Sequence, residues 1–482
     1  MEQMNGLDGS FLQLENPGMP MTISPFTIYD PSTAPNGIVR FKDILKIFEN
    51  SMSKASVFRR RVVEVPLSID HPYWLEDPDF DIEYHVRHIA LPKPGDWRQL
   101  YIELARLQSR PLDRSRPLWE AYVIEGLDHL DGVKKGSFGI MLKVHHSAMD
   151  GKSMLDLFIA THKFSNDEPI IPEKADVMLT ETRPSSLSML GMAYGNTFKR
   201  NSQRLKLLKS GFEAYNRISV GKKNGEFHNI KDKEITRFNV AVSPHRSFTR
   251  YQMLTSDIKS IASCLSNEQR VTSNEVLLTI ISGAANRYLC AKKEHPKFSL
   301  VAGCPVDSRS PEAMGEGGNH VSMMNVLLHS DITDPIERLR AVATSSKESK
   351  RYNEAFGKTT VNEIYQALPP FMIGLYGKYL RASSGKVSPL FNMTVSNVPG
   401  IEIPAYFAGA VITDAFGVGC PIDQAGLFHH VSACYGKTGI NVTCCRDMMP
   451  DPELYQSCLE ASYLELKKAS DELTASIAAE KK

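Results

Sequence analysis

The sequence predicts an α/β protein of two halves joined by a long helical connection, and three observations carry that prediction. The chain has 482 residues, too long for one simple core and long enough for two. Strand-like and helix-like patterns alternate from residue 1 to about 175, and again from about 236 to 482. Between them, residues 176–235 are basic, dotted with Gly and Ser, and poor in strand formers. The expected division is therefore 1–175, 176–235 and 236–482.

The elements follow in order. "DWRQLYIELARLQS" carries helical spacing at Leu100, Ile102, Leu104 and Leu107. "EAYVIEGL" and "GSFGIMLKV" read as strands, and "SMLDLFIATHKF" as a helix with Met154, Leu155, Phe158 and Ile159 on one face. Beyond the connection, "SNEVLLTIISGAANRYLCAKK" reads as a helix and "FSLVAGCPVD" as a strand. "NMTVSNVPGI" is a strand running into a turn, and "DPELYQSCLEASYLELKKASDEL" a closing amphipathic helix.

Composition narrows the function. An apolar content of 42% and a charged content of 23% are globular values. A net charge of +1 offers no global attraction for nucleic acid, so none is expected as a partner. The N-terminus lacks a basic segment followed by an apolar one, and no apolar run approaches the ~18 residues of a membrane span. A cytoplasmic protein with at most peripheral lipid contact is expected. All eight cysteines lie in the second half, without a CxxC pair or a Cys/His zinc spacing, and read as reduced core thiols.

The connection allows two readings. From Asn196 to Lys223 it holds eight cations (Lys199, Arg200, Arg204, Lys206, Lys209, Arg217, Lys222 and Lys223) against one anion, Glu213. Leu190, Tyr194, Phe198, Leu205, Leu208, Phe212, Tyr215 and Ile218 recur at three- and four-residue steps, apart from one gap, as one apolar stripe. That stripe packs on the body beneath a solvated basic back, or it rests on a membrane or lipid-droplet surface. Gly191, Gly195 and Gly211 weaken the helix in either case.

"SFGIMLKVHHSAMDG" holds the chemistry. Strand alternation puts Phe138, Ile140, Leu142, Val144 and His146 on one face, and Gly139, Met141, Lys143 and His145 on the other. The histidines point apart, which argues against one shared metal, and the spacing is not H-E-x-x-H. Asp150 and Gly151 fall at a strand-to-helix turn, where Asp can cap and Gly can take an unusual backbone. An imidazole fixed there reads either as a general base or as a structural histidine.

The run His145-His146-Ser147-Ala148-Met149-Asp150-Gly151 resembles the HHxxxDG signature of the CoA-dependent acyltransferase superfamily. "LDGSFLQLE", the stretches at 58–97 and 107–127, "SNEVLLTIISGAANRYL" and "SNVPG" together resemble the bacterial wax ester synthase/diacylglycerol acyltransferase family, in order and over nearly the whole chain. Two departures stand out: Asn274-Glu275 replaces the family's Asn-Asp, and Pro20-Met21-Thr22 replaces its Pro-Met-His.

The resemblance implies two chloramphenicol-acetyltransferase-like halves of mixed sheets with helices, and an active site at their interface. It implies transfer of a long-chain acyl group from acyl-CoA, the co-substrate, to a fatty alcohol or diacylglycerol, with no other cofactor and no metal. A related acyltransferase using another hydroxyl or amine, or a non-catalytic lipid-surface protein, are the alternatives. The superfamily pattern makes His146 the base, His145 a neighbour supporting the turn, and Asp150 a residue that holds the motif with Gly151. Asp150 is paired in related enzymes with an Arg of the second half, for which "CPVDSRS" offers Arg309. Asn274, at a helix start, and Ser396-Asn397, at a strand end, can bind the oxyanion or hydroxyl. "RPLW", with Pro117, Leu118 and Trp119, lines the active-site floor or touches substrate. Oligomeric state and chain-length preference are not readable from these residues.

Overall fold

The structure is a computed structural model that describes residues 1–51, 56–149, 151–165, 182–227, 233–266, 268–307, 319, 321–357 and 360–480. The first half runs β1 (Glu2–Gln3), α1 (Gly6–Leu14), β2 (Thr22–Asp30), α2 (Phe41–Ser51), β3 (Arg60–Val63), β4 (Tyr73–Glu76), α3 (Ile82–His85), β5 (Val86–Ala90), α4 (Trp97–Ser109), β6 (Trp119–Glu125), β7 (Phe138–His145) and α5 (Gly151–Thr161). A long helix, α6 (Ser186–Lys223), follows. The second half runs β8 (Arg246–Leu254), α7 (Thr255–Ser263), α8 (Ser273–Ala291), β9 (Val301–Asp307), β10 (Val321–Leu327), α9 (Pro335–Phe356), α10 (Thr360–Ala367), α11 (Pro370–Ser383) and β11 (Met393–Asn397). It ends with β12 (Tyr406–Phe407), β13 (Ala410–Val418), β14 (Phe428–Cys434), β15 (Lys437–Cys445) and α12 (Pro452–Glu480).

Two six-stranded sheets organise these elements. One has the order β12-β13-β2-β7-β6-β5, the other β10-β9-β11-β14-β15-β8. Both are mixed: β5 and β6 run parallel in the first, and β11 runs parallel to β9 and β14 in the second. The first sheet is completed from far along the chain, because β13 pairs antiparallel with β2. Arg250 of β8 fastens that crossover, donating to both carboxylate oxygens of Asp414 at 2.6 and 2.8 Å. The α/β architecture of two sheets with helices is thus the one the sequence predicts.

Strand β7 is central, and both of its faces are covered. Phe138, Ile140 and Val144 join a core with Ile44 and Phe48 of α2 and Leu157 of α5. Met141 packs on the other side with Leu100, Leu104 and Leu107 of α4. Burying each such side chain contributes about 1.5–3 kcal/mol. Gly139 must be glycine here, since a Cβ would sit 2.2 Å from the ring of Phe26. Alternation therefore does not mark an inner and an outer face: of the two histidines, His145 is the fully buried one and His146, just past the strand end, is half-buried. On α5, Met154 and Phe158 of the expected face pack against this core together with buried Leu157, whereas Ile159 is exposed.

The connection departs from the first expectation for its stripe. Helix α6 packs through Met189, Ala193 and Ala214, whereas Tyr194, Phe198, Phe212 and Tyr215 are 62–69% exposed. Tyr194 and Phe212 lie about five helical turns apart and so share the outward face. The cations are not all solvated either. Arg200 is buried against Asp70, Arg204 donates to the Ala367 carbonyl at 3.0 Å, and Arg217 to that of Ala355 at 2.9 Å. The helix docks by arginine contacts to α10 and α9, and that turns its aromatics to solvent.

All eight cysteines are free thiols, seven of them buried. Among the described residues no helix is long and apolar enough to cross a membrane.

Candidate active site

The strand-end histidines are held by backbone first. The His145 amide donates to the Leu118 carbonyl at 2.9 Å, and the His146 amide to the Met21 carbonyl at 2.7 Å. Ala148 N closes the turn onto the His145 carbonyl at 2.9 Å. Thr22, where the resembling family has His, is buried opposite His145 in the β2–β7 register.

His145 then has its tautomer set. Ser147 N donates to His145 Nδ1 at 3.1 Å, with Ser147 Oγ at 2.6 Å from the same nitrogen. Nδ1 is therefore an acceptor, and the proton of the neutral ring belongs on Nε2. That nitrogen faces Glu15, 3.5 Å from Oε1. Burial pushes the His145 pKa down against the opposing pull of Glu15, so the ring is neutral at pH 7. Burial alone would raise the Glu15 carboxyl, but the facing His145 N–H and, above all, the hydrogen bonds and charge of Arg114 hold it at about 2. Arg114 reaches Oε2 through Nη2 at 2.7 Å and Nε at 3.1 Å, and Met21 N donates to Oε1 at 3.2 Å.

His146 is organised by the same N-terminal helix. Its ring stacks on Phe11, with centroids 4.2 Å apart and planes 20° from parallel. Its carbonyl accepts from Asn319 Nδ2 at 2.7 Å, and that amide also donates to Asp8 Oδ1 at 2.6 Å. Asp8, Phe11 and Glu15 recur at helical spacing, so α1 and the residue that follows it present one face to the motif. Helix α1 is capped by Asn5, whose side chain accepts from Asp8 N at 2.7 Å. It also meets the second half closely: Gly6 N donates to Gln366 Oε1 at 2.6 Å, and a Cβ at Gly6 would lie 2.4 Å from Gln366 backbone atoms.

The other predicted residues fall into separate groups. Pro117, Leu118 and Trp119 are buried, with Leu118 and Trp119 0% and 1% exposed. Trp119 donates to the Phe58 carbonyl at 2.8 Å and stacks on His85. These side chains offer no open surface to a substrate; Leu118 supports His145 through its carbonyl. Asn274 and Asn397 come together, Oδ1 of the first accepting from Nδ2 of the second at 3.3 Å, beside half-buried Ser396. Glu275 is occupied as a cap, accepting from Thr272 N and Ser346 Oγ, each at 2.8 Å. Those bonds and Lys350 hold its carboxyl below the usual range despite burial.

Asp150 and Arg309 lie outside the described residues, and Gly151 is the first residue of α5. Among the described residues no group of three or more His, Cys, Asp or Glu is placed to hold a metal ion. Asp8, Phe11, Glu15, Arg114 and Asn319 escaped sequence reasoning. The spacing of Asp8, Phe11 and Glu15 within "LDGSFLQLE" is the one local signal that could have found them.

The chain resembles known proteins over nearly its whole length. Residues 4–276 match the model of the wax ester synthase/diacylglycerol acyltransferase catalytic domain, and residues 317–467 match that of the corresponding C-terminal domain. A putative diacylglycerol O-acyltransferase of Mycobacterium tuberculosis is 29% identical over 474 residues, 96% of this chain and 91% of the relative. The solved wax ester synthase/diacylglycerol acyltransferase of Marinobacter aquaeolei has a similar fold, with TM-score 0.66 and 22% identity over 97% of this chain and all of that one. The starter condensation domain of rhizomide synthetase has a TM-score of 0.57 at 12% identity, covering 98% of this chain and 95% of that one.

Proposed function

The chain belongs to the wax ester synthase/diacylglycerol acyltransferase family, and we propose that it moves a long-chain acyl group from acyl-CoA to the hydroxyl of a fatty alcohol or diacylglycerol, with His146 as general base. The observation that carries this reading is the cradle around His146. Its imidazole is half-buried, stacked on Phe11, and held at both backbone ends by Met21 and Asn319. A ring so fixed, beside a neutral buried neighbour, needs little reorganisation to accept a proton.

In the proposed reaction the hydroxyl oxygen attacks the thioester carbonyl while His146 takes its proton. The tetrahedral intermediate then collapses, the C–S bond breaks, and the proton passes to the departing CoA thiolate. A thioester is already activated, so no covalent enzyme intermediate is required. Asn274, Ser396 and Asn397 are the proposed donors to the oxyanion or hydroxyl. Asp150 and Gly151 hold the turn, with Arg309 as the proposed partner of Asp150. No cofactor beyond acyl-CoA enters this scheme.

Peripheral contact of α6 with a membrane or lipid-droplet surface belongs to the same reading. Exposed Tyr194, Phe198, Phe212 and Tyr215, with exposed Lys209, Lys222 and Lys223 on the same helix, match what an interfacial helix needs.

The test follows CoA thiol release from palmitoyl-CoA with hexadecanol or diacylglycerol as acceptor. His146→Ala is expected to lose about 10²–10⁴-fold in kcat with an unchanged circular dichroism spectrum. Near-wild-type turnover by that variant would remove the general-base assignment.

A further inference from the structure

The side of the molecule between α4 and β8 holds a cavity of about 690 Å³ that the acyl-transfer scheme leaves unassigned. Its chemistry is unusual for a surface cleft. Arg98 and Arg106 line it from α4, Arg246 from the start of β8, and Arg446 from just past β15. Trp97, Tyr101 and Phe248 supply an aromatic wall, with Trp97 and Tyr101 centroids 5.7 Å apart and Tyr101 edge-on to Phe248 at 5.1 Å. One carboxylate, Glu453, also lines it, 3.5 Å from Arg98.

Arg246 is the informative residue. It is only 4% exposed, yet among the described residues no carboxylate lies within ion-pairing distance of it. Its Nη2 donates to the Gly18 carbonyl at 2.8 Å, its Nη1 contacts the Ser243 carbonyl and Cys445 Sγ, and its buried Nε has no hydrogen-bond partner. Neutral acceptors satisfy some donors but leave the buried charge without a counter-charge, which is costly. Arg446 is exposed and likewise ion-paired to no carboxylate among the described residues. A multiply charged anion supplies what this cluster lacks, since guanidinium groups bind phosphate oxygens through paired donors. Stacking on aromatic rings supplies the place for a base.

We propose that this cavity binds a purine nucleoside bisphosphate, the adenosine 3′,5′-bisphosphate end of the acyl-CoA donor. The inference rests on the acyl-CoA reading above for the origin of that nucleotide. The connection to the base is short. Arg246 touches Gly18, three residues before Met21, whose carbonyl holds the His146 amide. Three residues span at most about 11 Å, and a pantetheine arm of about a dozen chain bonds extends to roughly 15 Å. The span from Arg246 to the His146 backbone is thus within the reach of that arm. The 690 Å³ volume lies within the range of sites that hold ligands of this size.

The experiment has a binding arm and a kinetic arm, both on the full chain. Calorimetry with adenosine 3′,5′-bisphosphate is expected to show one site, weakened at least tenfold in Arg106→Glu/Arg446→Glu, whose substituted side chains lie at the surface. The same variant is expected to raise the ratio of KM for palmitoyl-CoA to KM for S-palmitoyl pantetheine at least tenfold, because pantetheine lacks the nucleotide. Absence of bisphosphate binding, or equal shifts for the two thioesters, would overturn the proposal. Equally tight binding of inorganic phosphate alone, or binding only to phosphatidic acid vesicles, would also overturn it by showing an anion or headgroup site. Because the calorimetric arm needs no turnover, it stands apart from the acyl-transfer reading: bisphosphate binding without any acyl transfer would sink that reading and leave this site intact.

Discussion

Glu15 places Oε1 3.5 Å from Nε2 of His145, the nitrogen that carries the ring proton, across 130 residues of sequence. The pair is buried on both sides, with side-chain exposures of 1% and 8%. It makes the first of the two histidines a strut rather than an acid or base: neutral, fixed in tautomer, and anchoring the turn from which His146 projects.

Glu15→Gln removes the charge that Arg114 and His145 share. Breaking a buried ion pair costs about 3–5 kcal/mol. Arg114 is 35% exposed, so water takes up part of its charge. The expected loss is therefore smaller, about 1–3 kcal/mol in a urea melt. kcat should also fall, but by less than in His146→Ala, because the base itself remains. A variant with wild-type stability and wild-type kcat would show that Glu15 holds nothing.

Phe11→Leu keeps apolar volume beside His146 but removes the stacked ring. Aromatic pairing contributes about 0.5–1.5 kcal/mol beyond burial, so a loss of roughly 2- to 10-fold in kcat is expected. KM should change little, since the stack orients the base rather than binding the acyl chain. A change confined to KM would place Phe11 in the substrate path instead.

The outward aromatics of α6 predict a lipid-surface effect separable from catalysis. Replacing Tyr194, Phe198, Phe212 and Tyr215 with Ser should weaken co-sedimentation with anionic phospholipid vesicles several-fold. The thermal midpoint should hold, because these side chains are exposed. Unchanged sedimentation would leave the stripe without a lipid role.

Acid should destabilise the fold from near neutrality. Burial holds His162 at about 4 and His429 at about 3, against 6.5 for an unperturbed histidine. The unfolded chain therefore binds more protons as pH falls below 6.5. The stability that these neutral rings contribute is present above 6.5 and is lost as pH drops through 4 to 3. Glu15 adds its loss only lower, between 4.5 and about 2. His162→Gln should flatten the slope of unfolding free energy between pH 6.5 and 4 by up to about 1.4 kcal/mol per unit. An unaltered slope would mean that His162 titrates normally.

Local pattern sufficed for the elements that bear the chemistry. Leu100, Leu104 and Leu107 announced α4, the alternation through Val144 announced β7, and the turn before Gly151 led into α5. These are short-range properties, because helical and extended periods repeat within a few residues. The same logic failed at faces. It separated the two faces of β7 without revealing that helices cover both, and it left open where the stripe of α6 would point.

The sequence by itself determined the α/β class, the place of the histidines at a strand end, and the resemblance that pointed to acyl transfer. Only the tertiary structure decided that His145 is the buried member, that Glu15 and Phe11 of the N-terminal segment hold the pair, and that β13 completes the first sheet. It alone brought Arg246 to Gly18 and left that guanidinium buried beside an arginine-lined cavity. The reason is physical: periodicity records which side of an element is apolar, whereas contacts between residues a hundred or more apart depend on how the elements pack, and no local spacing encodes that.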